Sequence, residues 1–245
     1  ELTLEDEAGA VQQVAHTAVD VSSSWLKFPR YGYLTDYRDG LDTQPIIEQL
    51  KGLHLNALQY YDWQWKHHQP LKREADGSLA ASWPEIAGRP VSQATLRKWL
   101  SGARAAGMVS MQYNLIYGAV KGYEADGVDP RWGLFETPGG KLWQLDMPGG
   151  WQTPAIWMFN PLNTGWQKYI LDRTNAVFAA LPFDGWHADT IGDWGMRYDA
   201  DGKPVAIQDT FAPFLNAAKD ALGSKYLVMN VVGNKGHAEV NRSKV

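Results

Sequence analysis

Five stretches of the chain carry the apolar or alternating pattern of short buried strands: residues 30–37 (RYGYLTDY), 53–61 (LHLNALQYY), 108–115 (MVSMQYNL), 183–189 (FDGWHAD) and 226–231 (YLVMNV). Four stretches with apolar residues at helical spacing alternate with them. Residues 44–50 place Pro45 near a helix start ahead of Ile46, Ile47 and Leu50, and residues 92–106 open on Ser92, a good capping residue, before Leu96, Trp99, Leu100 and Ala103. Residues 164–181 carry Trp166, Ile170, Val177 and Phe178, and residues 209–222 carry Phe211, Phe214, Leu215 and Ala218 before Gly223 ends the run.

Strand and helix in strict alternation predict a parallel sheet with right-handed crossovers, either doubly wound or a (β/α)8 TIM barrel. The barrel is favoured. No Gly-x-Gly-x-x-Gly or Walker-type loop follows any strand, and the strands end instead in Asp36, Asp62, Asn114, Asp189 and Asn230, at the strand ends where barrels carry their chemistry. The connections over residues 62–91 and 116–163 are long and rich in Gly, Pro and Trp, whereas the helix-to-strand returns are short. Trp63, Trp65, Trp83, Trp132, Trp143, Trp151 and Trp157 all fall in these two connections. A rim of indoles suits sugar rings, whose C–H faces pack on aromatic planes while their hydroxyls bond to nearby Asp, Asn and His.

Composition narrows the partners. The 245 residues are 44% apolar and 20% charged, as in a folded protein, with a net charge of −4 and no dense basic run, so nothing marks a nucleic-acid partner. No apolar run approaches the roughly 18 residues of a membrane span, so no membrane insertion is expected, and residues at the N-terminus lack a signal-peptide pattern. The absence of cysteine excludes disulfides, Cys-ligated zinc, iron–sulfur clusters and thiol nucleophiles. The 12 Trp and 11 Tyr outnumber the 7 Phe, so most aromatics carry a polar handle. Only 14 residues follow the fifth strand pattern, where a full barrel needs three more β/α units. The expectation is therefore a barrel continued by further chain, by a second fragment completing it, or by self-association.

In residues 183–189, side-chain alternation places Gly185, His187 and Asp189 on one face and Asp184, Trp186 and Ala188 on the other. Asp189 is the candidate nucleophile or base at the strand end. The competing reading has its carboxylate capping the next turn through the Thr190 and Ile191 amides, while Asp193 reads as a loop or cap residue. Asp36, Tyr61, Asp62, Asn114, Tyr117 and Asn230 are expected around the same mouth. In WQWKHHQ, His67 or His68 suits a general base or a sugar-hydroxyl contact, or is simply a surface residue. The adjacent histidines point apart, and no HExxH and no third ligand accompany them, so no metal or other cofactor is expected. No G-x-S-x-G elbow or Ser/His/Asp order is present.

The stretches PRYGYLTDY (29–37), LQYYDWQWKHHQPL (58–71) and FDGWHADTIGDWG (183–195) together resemble glycoside hydrolase family 66, the dextranases and cycloisomaltooligosaccharide glucanotransferases. GWHAD alone also echoes the G-F-R-x-D nucleophile strand of the α-amylase group, with His187 in place of arginine. The resemblance implies a (β/α)8 barrel over residues 28–245, of which about the first five strands are present, preceded by the tail of a β-sandwich and a linker over residues 1–27. It implies retaining cleavage of α-1,6-glucan with Asp189 as nucleophile; Asp36, Tyr61, Asp62, His68, Asn114, Tyr117, His187 and Asn230 are expected to contact dextran or isomaltooligosaccharides. Retention needs a second carboxyl roughly 5 Å away, which the family supplies from beyond the fifth strand. Glu239, the last glutamate, sits in GHAEVNRSKV and is not assigned that role, so the chain alone is expected to lack its general acid. A polymeric substrate implies secretion or display at the cell surface. A cyclising transferase and a non-catalytic glucan-binding barrel are the alternatives.

Overall fold

All five strand patterns pair in one parallel sheet. The computed structural model describes residues 2–16, 21–190, 192, 195–234 and 236–244. The strands are β1 (Tyr31–Leu34), β2 (Ala57–Tyr60), β3 (Val109–Leu115), β4 (Gly185–Asp189) and β5 (Tyr226–Met229). They lie in the order β5-β4-β3-β2-β1, each parallel to its neighbour. Helices α1 (Gln44–Gly52), α2 (Gln93–Ala105), α3 (Thr164–Ala180) and α4 (Phe211–Leu222) fill the four crossovers. An order that never reverses is that of a barrel wall; a doubly wound sheet reverses at a switch point. Among the described residues, β1 pairs only with β2 and β5 only with β4.

The helices start where their caps dictate. The Ser92 hydroxyl accepts the Thr95 N–H at 3.4 Å at the start of α2, and Asn163 Oδ1 accepts the N–H groups of Gly165 and Trp166 at 2.9 and 3.1 Å at the start of α3. Ile47 of α1, Leu96 and Leu100 of α2, Ile170 of α3, and Phe214 and Leu215 of α4 are buried beneath the helices. Each such side chain contributes roughly 1.5–3 kcal/mol of burial. The helix-facing side of the sheet meets them with Leu58, Tyr60, Trp186 and Ala188, and the Trp186 ring stands edge-on to Phe214 at 5.9 Å.

The two long connections contain their own sheets, which the sequence pattern did not show. Ser82–Pro84 pairs antiparallel with Pro90–Ser92. Gly118–Val120, Gln144–Asp146 and Ala155–Met158 form a second, three-stranded antiparallel sheet. The rim of indoles is correspondingly smaller than expected, because Trp63, Trp83 and Trp143 are buried. Trp83 donates its indole N–H to the Trp63 carbonyl at 2.8 Å, and Trp63 packs on Phe183 at 5.1 Å, so this pair anchors the first long connection to the core. Trp65, Trp132, Trp151 and Trp157 stay half-buried. Ahead of the sheet, Leu2–Glu5 and Val11–Ala15 form an antiparallel pair with every side chain exposed.

Candidate active site

The register of the sheet fixes which strand-end residues can meet. Gly185, His187 and Asp189 lie opposite Met111, Tyr113 and Leu115 of β3, and Gly185 and His187 lie opposite Tyr226 and Val228 of β5. Residues paired across parallel strands share a face. On the face away from the helices, the strand ends therefore gather Tyr31, Tyr33, Tyr61, Tyr113, His187, Asp189 and Asn230. Gly185 is required at the base of this face: a Cβ there would lie 2.4 Å from the Tyr226 carbonyl oxygen and 2.7 Å from the Met111 methyl.

A concavity of about 510 Å³ opens over these strand ends, lined by Tyr33, Thr35, Gln59, Tyr61, His187, Asp189 and Asn230. Among the described residues, Asp189 is the one carboxyl in that lining. Its Oδ2 accepts the Tyr113 hydroxyl at 2.9 Å, and its Oδ1 accepts the Asn230 amide at 2.7 Å. Burial pushes the carboxyl above its ordinary range, opposed by the hydrogen bonds from Tyr113, Asn230 and the Thr190 backbone, which favour the anion. The Thr190 bond realises part of the turn-capping geometry, on the same carboxylate that faces the cavity. Ile191 and Asp193 lie outside the described residues.

His187 stacks on Tyr31 with ring centroids 5.6 Å apart, and its Nδ1 shares a hydrogen bond of 2.9 Å with the Tyr31 hydroxyl. Burial lowers its pKa to about 4, so the ring is neutral above that and adds no cation beside Asp189. Tyr61 covers Tyr113 at 4.5 Å between ring centroids. Asp189, Tyr61, His187 and Asn230 are thus brought together at the cavity. Tyr113, Tyr31, Tyr33, Thr35 and Gln59 join them; none of the five ends a strand pattern in a charge or amide, and the signal that marks them is the side-chain alternation of the first three strands, the same that sets His187 and Asp189 on one face.

Asp62 sits just behind this wall. It is buried with φ of 49°, a left-handed backbone that a residue other than glycine adopts at a cost. Its Oδ2 lies 3.5 Å from Arg89 Nη2, Arg89 in turn clamps the buried Glu85 at 3.1 Å, and Asp62 Oδ1 has no partner among the described residues. Burial first, then the charges of Glu85 and Asp189, raise the Asp62 pKa to about 7 against the opposing pull of Arg89.

The structure does not bring the remaining expected contacts to the cavity. Asp36 turns outward to an ion pair with Arg38, and its carbonyl accepts the Trp99 indole N–H at 2.9 Å. Asn114 points to the helix side and binds His67, its Oδ1 2.8 Å from His67 Nδ1 and its Nδ2 donating to the His67 carbonyl at 2.7 Å. Tyr117 is buried within the apolar core beneath the second loop sheet. His68 is fully buried, with Nε2 2.9 Å from Asp126 Oδ2 and Nδ1 accepting the Val120 N–H at 3.2 Å. Asn114 and His68 hold loops to the sheet or to one another, Tyr117 fills the core, and the Asp36 carboxylate stays with Arg38 at the surface. Among the described residues no three His, Asp or Glu groups stand close enough to share a metal ion.

With this geometry in hand, comparison with known proteins gives a consistent picture. The family described as glycosyl hydrolase family 66 matches residues 1–245. A cycloisomaltooligosaccharide glucanotransferase of Niallia circulans is 33% identical over 89% of this chain, and a dextranase of Streptococcus salivarius 25% identical over 93%. The chain spans 22% and 29% of the length of those two proteins. A Paenibacillus sp. cycloisomaltooligosaccharide glucanotransferase, solved with cycloisomaltoheptaose, superposes with a TM-score of 0.84 at 30% identity, over 92% of this chain and 34% of its own. The match over the full sequence, in a chain whose parallel sheet carries a cavity-facing carboxyl at the end of the fourth strand, shows that the chain belongs to glycosyl hydrolase family 66.

Proposed function

We propose that this chain is the first part of the (β/α)8 catalytic barrel of a retaining glycosidase that cleaves the α-1,6 linkages of dextran, with Asp189 as the nucleophile. The single observation that carries this reading is the placement of Asp189. A carboxylate held on both oxygens by Tyr113 and Asn230 is fixed in orientation while facing an open cavity of about 510 Å³. In the first step one Asp189 oxygen bonds to the anomeric carbon as the bond to the leaving O6 breaks, and a general acid delivers a proton to that oxygen. In the second step a water oxygen bonds to the same carbon, its proton passes to the conjugate base, and Asp189 leaves as carboxylate.

On this reading the general acid comes from a carboxyl outside this chain, since among the described residues Asp189 is the one carboxyl lining the cavity and Asp62 is buried behind the wall. On this reading, residues 1–27 are the end of a β-sandwich and its linker, and residues 28–245 are the opening β/α units of the barrel. A polymer substrate places the protein outside the cell or on its surface.

A cyclising transferase is the second reading, favoured by the names of the Niallia circulans and Paenibacillus sp. relatives. There the far end of the bound glucan, instead of water, supplies the oxygen that resolves the glucosyl–Asp189 intermediate. The test is product analysis after incubation with dextran of the longer protein that contains this chain, as wild type and as Asp189→Ala. Loss of cleavage by about 10³-fold or more in the variant, with a glucosyl azide formed when sodium azide is added, supports the nucleophile. Normal turnover by Asp189→Ala overturns it. Linear or cyclic products choose between the two readings.

A further inference from the structure

A second hollow of about 590 Å³ lies between the connection after β3 and the hairpin of Met196–Tyr198 and Pro204–Ala206 that follows β4, and shares no lining residue with the cavity over Asp189. One wall is the half-buried indole of Trp132. That ring lies against Gly165 in the first turn of α3, where a Cβ would come within 2.5 Å of the indole Nε1 and Cε2; only glycine lets the indole lie so close to the helix. At the base stands Asn160, 93% buried: its Oδ1 accepts the Leu162 N–H at 2.9 Å, and its Nδ2 has no partner among the described residues. That donor is available to water or to a ligand hydroxyl in the hollow.

Carboxylates of Asp129, Asp199 and Asp201 and the cations of Arg131 and Lys203 also line it; Arg131 pairs with Asp201 at 3.4 Å, and one oxygen each of Asp129 and Asp199 accepts backbone N–H groups of its own turn, leaving the second oxygen to the hollow. Donors and acceptors thus ring an aromatic wall, and the five charges nearly cancel. Such a set suits a neutral polyhydroxyl ligand better than an anion or a metal: hydroxyls meet Asn160 Nδ2 and the carboxylates while the apolar face of the sugar packs on Trp132. The volume falls within the roughly 300–1,000 Å³ usual for small-ligand sites.

We propose that this hollow binds a glucosyl unit of a glucan chain as a second site, separate from the cavity over Asp189. The choice of glucan rests on the proposed function. A second foothold raises the local concentration of polymer at the cleft without taking part in bond cleavage.

Affinity electrophoresis of this chain through gels containing dextran or amylose tests the proposal, with Asn160→Asp, Trp132→Phe and Tyr61→Ala compared with wild type. Asn160→Asp keeps the oxygen that holds Leu162 N–H and removes the donor; Trp132→Phe keeps an aromatic filling. Melting temperature and circular dichroism report folding. The expected result is glucan binding at least fivefold weaker in both Asn160→Asp and Trp132→Phe at unchanged melting temperature, with Tyr61→Ala still bound. Wild-type retardation in both variants overturns the hollow, whatever the longer enzyme does to dextran. Retardation by amylose alone, lost in Asn160→Asp, keeps the hollow and overturns the α-1,6 reading.

Discussion

Tyr113 donates its hydroxyl to Asp189 at 2.9 Å from the neighbouring strand, two register positions below the carboxylate, with His187 paired opposite Tyr113 itself. The bond ties the proposed nucleophile to the sheet's own geometry and not to a loop. A hydrogen bond to a charged group is worth about 1.5–3 kcal/mol, so Tyr113→Phe in the longer enzyme should reduce kcat/KM on dextran by roughly 10- to 100-fold. Because Tyr113 holds the Asp189 pKa down, the acid limb of the pH profile should also move to higher pH. A profile that stays in place would show that Tyr113 does not act on the carboxylate.

Asp62 should make the chain's stability depend on pH in an unusual direction. Its carboxyl titrates at 3.8 when free and at about 7 in the fold, so between those values the folded chain holds a proton that the unfolded chain releases. A raised acid contributes its full share only below the unfolded pKa and loses it as pH rises to the folded one. The loss has a ceiling of roughly 4 kcal/mol. Asp62→Asn should flatten the decline and resist urea better than wild type at pH 8; urea denaturation at pH 5 and pH 8 measures both, and an unchanged slope in the variant would contradict the assignment.

Gly185 leaves no room for a methyl group between Met111 and Tyr226, and one of the atoms it would strike is a backbone carbonyl that cannot swing aside. Gly185→Ala should therefore cost about 1–3 kcal/mol through displacement of β5, which also carries the chain on to Asn230. Thermal melting tests the cost, and a melting curve identical to wild type would contradict the packing described.

His68 and His187 should part company when mutated. His68 is locked between Asp126 and the Val120 amide, so His68→Ala should lower stability by roughly 1–3 kcal/mol while leaving KM for isomaltooligosaccharides unchanged in the longer enzyme. His187 lines the cavity, so His187→Ala should alter the kinetics instead. Parallel melting and kinetic measurements separate the two; a KM change in His68→Ala would return that residue to the substrate.

The strands, the helices between them and the position of Asp189 were legible in the chain. Apolar periodicity and a capping residue such as Ser92 act over a few residues, and a carboxylate in an apolar run has to emerge at the strand's end. The small sheets of the long connections were not legible, because their strands of three or four residues are not framed by the strand and helix alternation that marks the strands of the main sheet.

The sequence by itself determined that polar groups end every strand; only the tertiary structure decided which of them meet. Side chains alternate across a strand, so a shift of one position moves a residue from the cavity to the helix side. Tyr61, His187, Asp189 and Asn230 share the cavity's parity, while Asp36 and Asn114 fall on the other face and Tyr113, one residue before Asn114, takes the place beside the carboxylate. Past the strand ends the rule lapses. The left-handed turn at Asp62 and the burial of Tyr117 and His68 were set by long-range packing of loops on the sheet, which no local pattern encodes.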